Sequence, residues 1–570
     1  MPVLNAEIAA MFDQTAELLE IEGANPFRAR AYRRAARTIE ALPQSVTSMM
    51  AAGKDLTDLP GIGKDLAGKI AAIVSSGRSD VLESLKRKLP GELGAIAALP
   101  GLGPKRVKLL YDRLHIRTLE SLRRAARAGR IHELKGFGEK IEQKILSVLE
   151  KPTVTEKRFK LSVAEAEAAA LLHFLKLPKG SIEAAGSFRR RRESVGDLDI
   201  VATARDTAMV GNRLVKYDNV SEVLAHGSTR TTVILRSGLQ VDLRVVPASS
   251  YGAALLYFTG SKAHNIALRS LANERNWKLN EYGLFAGNRR IAGSSEIEIY
   301  KKLGLAFVPP ELREDRGEVD AARERRLPKL VELADIRGDL HAHTDWSDGT
   351  ASIADMAIAA KERGYAYLAI TDHSRRVTVA HGLDAARLSH QIGEIERLNE
   401  RLSGVTLLKG VEVDILADGR LDLPDKILSR LDVVAAAVHY KFDLARDAQT
   451  ERIIRAMDNP YVNIIAHPTG RLLGEREPYA VDIHRLIAAA KERHCCLEIN
   501  AEPDRLDLND IHAKAAKEMG VKLAISTDAH ATHALGYMRF GIDQARRGWL
   551  EAGDVINSRS LAQLRKILKR

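Results

Sequence analysis

The chain is poor in cysteine: its 570 residues hold 2, standing side by side as Cys495 and Cys496. Adjacent cysteines cannot staple distant segments, so a disulfide framework is excluded and buried thiols in a reducing compartment are expected. Long apolar runs are missing too, which argues against a bilayer-spanning helix. No basic stretch followed by an apolar block opens the sequence, so no leader peptide is expected. A soluble cytoplasmic protein is the expectation. Acids are in deficit: 75 Asp and Glu against 87 Lys and Arg leave a formal charge of +12, with a pI near 9.4. That balance favours a polyanionic partner. Hydrophobic residues at 45% and charged residues at 28% are ordinary for a globular protein. The length exceeds what one core supports, so several domains are expected.

The stretch Gly186-Ser187-Phe188-Arg189-Arg190-Arg191-Arg192-Glu193-Ser194-Val195-Gly196-Asp197-Leu198-Asp199-Ile200-Val201 combines a Gly-Ser turn, arginines and an Asp-x-Asp pair entering a strand. Strand side chains alternate, so Asp197 and Asp199 share one face while Leu198 and Ile200 take the other. Two like charges side by side read as half of a divalent metal site. Asp242, in the strand-like run Leu239-Gln240-Val241-Asp242-Leu243-Arg244-Val245-Val246, supplies the third carboxylate. Three such carboxylates can hold two Mg²⁺ or Mn²⁺ ions roughly 3.5–4 Å apart, an arrangement suited to nucleotidyl transfer. Gly186 and Ser187 offer donors to a phosphate, and Arg190 a forked cation.

Upstream, residues 4–22 and about 26–41 read as helices, the second carrying Arg28, Arg30, Arg33, Arg34 and Arg37. A Gly-apolar-Gly turn followed by a helix then occurs three times, at Gly61-Ile62-Gly63, Gly101-Leu102-Gly103 and Gly136-Phe137-Gly138. Glycine permits close approach, and the amides at the following helix N-terminus point toward a phosphate. Three such turns, each with Lys or Arg nearby, resemble helix-hairpin-helix DNA-backbone clamps; they carry no base-reading chemistry, so binding is expected to be sequence-tolerant and salt-sensitive. Residues 311–336 are dominated by charges, among them Arg313, Glu314, Asp315, Arg316, Glu324, Arg325 and Arg326. Their composition predicts an exposed connector.

Past Gly338, short apolar strands alternate with amphipathic helices, the pattern of an α/β barrel. Successive strand ends carry His341 and His343, Asp372 and His373, Glu412, His439, His467, and Asp528 with His530. In a parallel barrel these ends converge on one cup. So many His and carboxylate ligands suit Mn²⁺ or Zn²⁺, and a cluster with open positions can activate water near neutral pH. Asp348, with Asp345 in the same loop, joins the candidates; Asp372 is expected to orient a ligand and His381 to contact substrate.

Together, Gly-Ser-Phe-Arg-Arg, Gly-Asp-Leu-Asp, Asp242, Tyr257-Phe258-Thr259-Gly260-Ser261, Asn265, Arg269 and Asn280-Glu281-Tyr282 resemble the palm and thumb of X-family DNA polymerases such as DNA polymerase beta. The C-terminal half resembles the PHP (polymerase and histidinol phosphatase) domain, a distorted seven-stranded β/α barrel with a trinuclear metal site. The combination resembles bacterial X-family polymerases. The fold implied is multidomain: a helical domain with a hairpin (1–90), fingers with further hairpins (91–155), an α+β nucleotidyltransferase palm (156–250), a thumb (251–310), a charged linker (311–337) and the PHP domain (338–570).

The resemblance implies that Asp197, Asp199 and Asp242 carry out two-metal nucleotidyl transfer. It implies that Ser187 and Arg190 grip the triphosphate of a dNTP, that Tyr257 and Phe258 flank its sugar, that Gly186 and Gly260 belong to the same nucleotide site, and that Asn265 and Arg269 face the nascent base pair. His341, His343, Asp348, His373, Glu412, His439, His467, Asp528 and His530 would hold about three ions for 3′–5′ exonuclease action, with abasic-site cleavage or 3′-phosphate removal as extensions. Gly61, Gly63, Gly101, Gly103, Gly136 and Gly138 would bind DNA. Gapped or nicked DNA with a 5′-phosphate is the implied partner, and a nucleoid-associated monomer the implied state. Lys69 falls where the family has a lyase lysine, although Asp65 one turn earlier favours a plain phosphate contact. Gln240 and Lys262 depart from the family pattern. Two rival readings are a DNA-end scaffold with silent metal sites, and a barrel acting on a small phosphate ester.

Overall fold

The structure, a computed structural model, describes residues 5–40, 42, 46–89, 92–97, 99, 102–134, 136–150 and 158–569. Gly101 and Lys135 of the hairpins, and the Lys151-Pro152 junction, lie outside the described residues. The chain forms two compact units, Met1–Lys157 and Arg158–Arg570.

The first unit is helical. Asn5–Glu22 and Pro26–Glu40 pack together, burying Ile8, Phe12 and Leu19 against Tyr32, Ala36 and Ile39. The first hairpin turns through Gly61 at φ 78°, where a side chain would meet Arg34 at 2.7 Å. Gly63 and Gly103 then open the helices Lys64–Ser76 and Pro104–Leu114, and neither is capped by a side chain.

The second unit begins with a five-stranded sheet ordered Ile182–Ala184, Asp197–Ala202, Gln240–Val245, Arg230–Leu235, Val220–His226. The strands Asp197–Ala202 and Gln240–Val245 run parallel in the middle, with Asp199 opposite Asp242. Their Leu198, Ile200, Val241 and Leu243 fill the core beneath the sheet with Ala168 and Leu171 of the helix Leu161–Leu175. Helices Tyr251–Thr259 and Lys262–Asn273 follow, then a three-stranded sheet.

Residues 311–337 correct the expected exposed linker. Leu312, Val319, Ala322 and Leu330 join the apolar core of Leu268 and Ile299. Arg313 is fully buried, donating to the Val308 carbonyl at 3.0 Å and to Glu296 at 2.6 Å. Glu318, also buried, accepts the amides of Asp315 and Arg316 at 2.9 and 2.7 Å and pairs with His264 at 2.6 Å. The charges are of both signs and satisfy one another, which allows a segment with little apolar periodicity to fold in.

Seven parallel strands in sequential order then form the barrel, from Gly338–Asp339 through Tyr367–Ile370, Thr406–Asp414, Val433–Ala437, Ile464–Ile465 and Cys496–Asn500 to Leu523–Ser526. A parallel bridge between Ala342 and Ala529 brings the last strand back toward the first. Alternate residues, including Leu340, Tyr367, Ala369, Leu408, Val433 and Ala524, pack with Leu564 and Leu568 of the final helix. The other set faces the surrounding helices. Cys495 and Cys496 are both buried.

Ion pairs join the palm and thumb to the barrel: Arg191 to Asp543 (2.6 Å), Glu193 to Arg471 (2.6 Å), Glu311 to Arg546 (2.8 Å), Glu314 to Arg547 (3.1 Å) and Arg316 to Asp510 (2.9 Å). Three of the barrel partners lie on one helix, Met538–Arg547, eight residues beyond His530. No helix among the described residues is long and apolar enough to cross a membrane.

Candidate functional site

In the palm, the parallel register sets Asp199 beside Asp242, with Asp197 two residues earlier on the same strand. Asp242 is 9% exposed and accepts Thr232 Oγ1 at 2.7 Å and Gln240 Nε2 at 2.5 Å, with Arg230 at 3.4 Å. Gln240, which departs from the family pattern, thus fixes the rotamer of the third carboxylate. Burial, reinforced by Asp197 and Asp242, pushes the Asp199 carboxyl up to about 7. A cation placed among the three would reverse that penalty, so the donor set fits divalent ions.

Gly186 has φ 63°, and a Cβ there would lie 2.6 Å from Asp199 Oδ2. Only glycine lets the Gly186–Arg189 turn sit directly over the aspartates. Ser187 is in that turn. Arg190 is held by Glu314 at 3.1 Å and by the Thr259 carbonyl at 2.5 Å, close to Gly260. Tyr257 is 39% exposed and packs edge-on against Phe258 at 5.2 Å. Asn265 donates to the Tyr257 carbonyl at 2.7 Å, and Arg269 donates to that of Asn265 at 3.2 Å. Of the expected nucleotide residues, Gly186 lies against Asp199, and Arg190 is tied through the Thr259 carbonyl to the end of the helix that carries Tyr257 and Phe258.

In the barrel, Glu412 is the hub. It lies within the strand Thr406–Asp414 rather than beyond its end, is fully buried, and is ringed by imidazoles. His467 Nε2 lies 2.7 Å and His439 Nε2 3.3 Å from one oxygen. His373 Nδ1 lies 2.7 Å, His341 Nε2 3.6 Å and His343 Nε2 3.7 Å from the other. Burial opposes ionisation of Glu412, but His439, His373 and His341 hold its carboxyl well below the usual range. Asp528 lies 3.0 Å from His343, and Asp348 lies 3.4 Å from both His373 and His530. Asp345, the other acid of that loop, is exposed.

Three overlapping groups could each hold a metal: His343, Asp348, His373 and His530; His341, His343 and Asp528; His373, Glu412 and His439. His341 Nε2, both nitrogens of His343 and His439, His373 Nδ1, and Glu412 Oε2 are buried with no hydrogen-bond partner. Orphaned donor atoms crowding one point fit cations better than any hydrogen-bond network. Burial beside His530 and His373 lowers His343 to about 3, keeping it the neutral ligand a metal requires. Asp528 (φ 53°) and His467 (φ 28°) occupy left-handed backbone, strain of the kind held at functional positions.

Several residues of the cup escaped sequence reasoning. Glu498 accepts His341 Nδ1 at 2.8 Å and the His467 amide at 2.7 Å. Asp414 lies 3.5 Å from His439 Nδ1, and Arg505 lies 3.4 Å from Asp528. The alternation Leu497-Glu498-Ile499-Asn500 was the available signal, with polar residues facing inward on every second position. Asp372 accepts the Thr344 amide (2.8 Å) and hydroxyl (2.6 Å) and Gln391 (2.6 Å), so it fixes the loop after His343. His381 is exposed.

Among the hairpins, no atom would meet a Cβ within 4 Å at Gly63, Gly103, Gly136 or Gly138, leaving room for close approach. Lys69 is hydrogen-bonded to Asp65 at 2.5 Å and lies 5.4 Å from the Tyr32 ring. Burial lowers its pKa, but Asp65 and Tyr32 outweigh it and the net shift is upward. That is the opposite of what a Schiff-base amine needs.

A helical hairpin region, a three-aspartate palm with a thumb, and a His-rich barrel define a nucleotidyltransferase joined to a PHP metal centre. Family models match accordingly: a helix-hairpin-helix domain over residues 3–79, a SAM-like helix-hairpin-helix tandem over 94–151, a DNA polymerase beta thumb over 254–314 and a PHP domain over 339–502. The chain is 40% identical over 575 aligned residues, 99% of each sequence, to the DNA polymerase/3′-5′ exonuclease PolX of Bacillus subtilis (strain 168). The chain is also similar to a “Probable phosphatase” of Thermoanaerobacter sp. (strain X514), 34% identical over 242 residues, 40% of this chain and 94% of the relative. A “Probable phosphatase” of Acetivibrio thermocellus is 31% identical over 210 residues, 35% of this chain and 81% of that protein. The chain belongs to the bacterial PolX family, X-family DNA polymerases with a C-terminal PHP domain.

Proposed function

We propose that the two metal-competent centres divide opposed chemistries, the palm extending a primer and the barrel cup shortening it. The protein is a DNA polymerase with 3′–5′ exonuclease activity, acting on DNA and dNTPs. The observation that carries the division is the presence, in one compact unit, of the in-register Asp199 and Asp242 and of the separate Glu412 cluster.

In the palm, Mg²⁺ or Mn²⁺ held by Asp197, Asp199 and Asp242 would supply charge neutralisation for the primer oxygen and leaving phosphate. The Gly186–Ser187 turn donates to the triphosphate, and Arg190 reaches it on leaving Glu314. Tyr257 and Phe258 border the sugar, while Asn265 and Arg269 flank the base pair. In the cup, Mn²⁺ or Zn²⁺ ions, three by the number of ligand groups, would supply Lewis acidity at the scissile phosphate. Glu498 orients His341, and Arg505 restrains Asp528. The hairpin glycines and uncapped helix ends favour a phosphate-bearing partner, assigned here as gapped or nicked DNA with a 5′-phosphate; the acting species is taken to be a monomer. Lys69, held protonated, is assigned a phosphate contact rather than lyase chemistry.

A 5′-labelled primer in a short gap, followed on a denaturing gel in Mn²⁺ with and without dNTPs, tests the division. Asp197→Ala should abolish extension and spare shortening; His341→Ala should do the reverse. Loss of both activities from either substitution in a folded protein would overturn it.

A further inference from the structure

Beside the cup, and apart from its ligands, lies an open groove of ≈ 1020 Å³ walled by Arg375, Arg376 and Thr378 on one side and by Leu416, Arg420 and Asp422 on the other. Arg375 and Arg376 follow His373 by two and three residues, so the groove starts where the metal cluster ends. Among the described residues Arg375 has no hydrogen-bond or ion-pair partner, and it is exposed. Arg376 is fixed: its guanidinium lies 4.2 Å from the Tyr440 ring, and its amide donates to Asp422 at 2.9 Å. Arg420 is exposed and paired with Asp418 at 2.7 Å. Asp422, the acid within the groove, is buried and accepts the Arg376 and Asp414 amides.

The loop that carries the arginines is anchored at both ends. Ser374 and Leu383 form a parallel bridge, and Arg387 donates to the carbonyls of Gly382 (3.2 Å) and Trp346 (2.5 Å). Its tip turns Val379 outward, 91% exposed. A fixed loop with one unpartnered guanidinium, one stacked guanidinium and an apolar tip matches a single strand, which offers phosphates along one side and unstacked bases along the other.

We propose that this groove is a single-stranded nucleic-acid subsite, in which Arg375 and Arg376, with Arg420 as a third cation, hold backbone phosphates next to the one being hydrolysed. The assignment rests on the cup as the hydrolytic site and adds the reason it takes a polymer.

The test uses the full-length Arg375→Ala/Arg376→Ala variant in Mn²⁺ on two substrates, a 5′-labelled single-stranded 12-mer and a dinucleotide holding only the scissile phosphodiester. KM for the 12-mer should rise about tenfold or more with kcat little changed. The slope of log affinity against log salt should become shallower by about 1.4, two phosphate contacts at about 0.7 each. Dinucleotide hydrolysis and primer extension should stay within about twofold of the parent. The single Arg375→Ala variant, whose side chain has no partner to lose, should show about half the change in slope. Unchanged 12-mer kinetics overturn the proposal. So does equal loss on both substrates, because the arginines would then act in the hydrolytic step itself. Undiminished 12-mer degradation by His341→Ala would instead refute the cup, whatever the arginines do.

Discussion

A carboxylate that ionises readily in water resists ionisation when two others and a buried strand surround it. Asp199 is in that position, its pKa raised to about 7 by burial, Asp197 and Asp242. The folded protein holds this proton more tightly than the unfolded chain, whose aspartate titrates near 4. Without metal, stability should therefore decline as pH rises from about 4 to about 7. Calorimetry in chelator should show a falling unfolding midpoint across that window, a shallower fall in Asp199→Asn, and recovery of the parent with Mg²⁺. A midpoint trend identical in parent and variant would remove Asp199 from the account. At the barrel, Glu498→Gln takes the charge from behind His341 while keeping its size. Metal affinity of the cup should fall about 10- to 100-fold. Titration of metal content against exonuclease rate checks this, with primer extension unchanged as the control.

Elements were legible in the sequence to the degree that their side chains alternate. Asp197 and Asp199 announced a strand face, and the parallel pairing with Asp242 follows that reading. The barrel was visible because strand after strand carries a His or acid near its end, whereas Glu498 was hidden inside a strand that carries no histidine. Residues 311–337 misled because their order comes from charge pairing across distant positions, which leaves no periodic trace. His264 and Glu318 are 54 residues apart and both fully buried. Removing Glu318 strands His264 and the amides of Asp315 and Arg316. Glu318→Ala should cost about 3 kcal/mol or more, read as a drop in urea midpoint. A loss under about 1 kcal/mol would return this segment to the status of a connector.

At the scale of the molecule, the division falls after Lys157 rather than between the two chemistries. Arg547 shows why: it is 3% exposed at the side chain and pairs with Glu314 of the thumb side and Asp510 of the barrel. Cutting the chain before Gly338 leaves Arg547 without Glu314 and Asp543 without Arg191. A fragment spanning 158–570 should melt cooperatively, while one spanning 338–570 should melt lower or aggregate; thermal unfolding of the two checks the expectation.

The helix Met538–Arg547 gives that seam a meaning for descent. It follows Asp528 and His530 of the barrel cluster and pairs with Arg190 and Arg191, just after the Gly186–Arg189 turn of the palm. A recombination event that transplanted either half alone would deliver a surface of unmatched buried charges to its new host. In this chain a change in the charges of that helix is therefore expected to reach both activities at once.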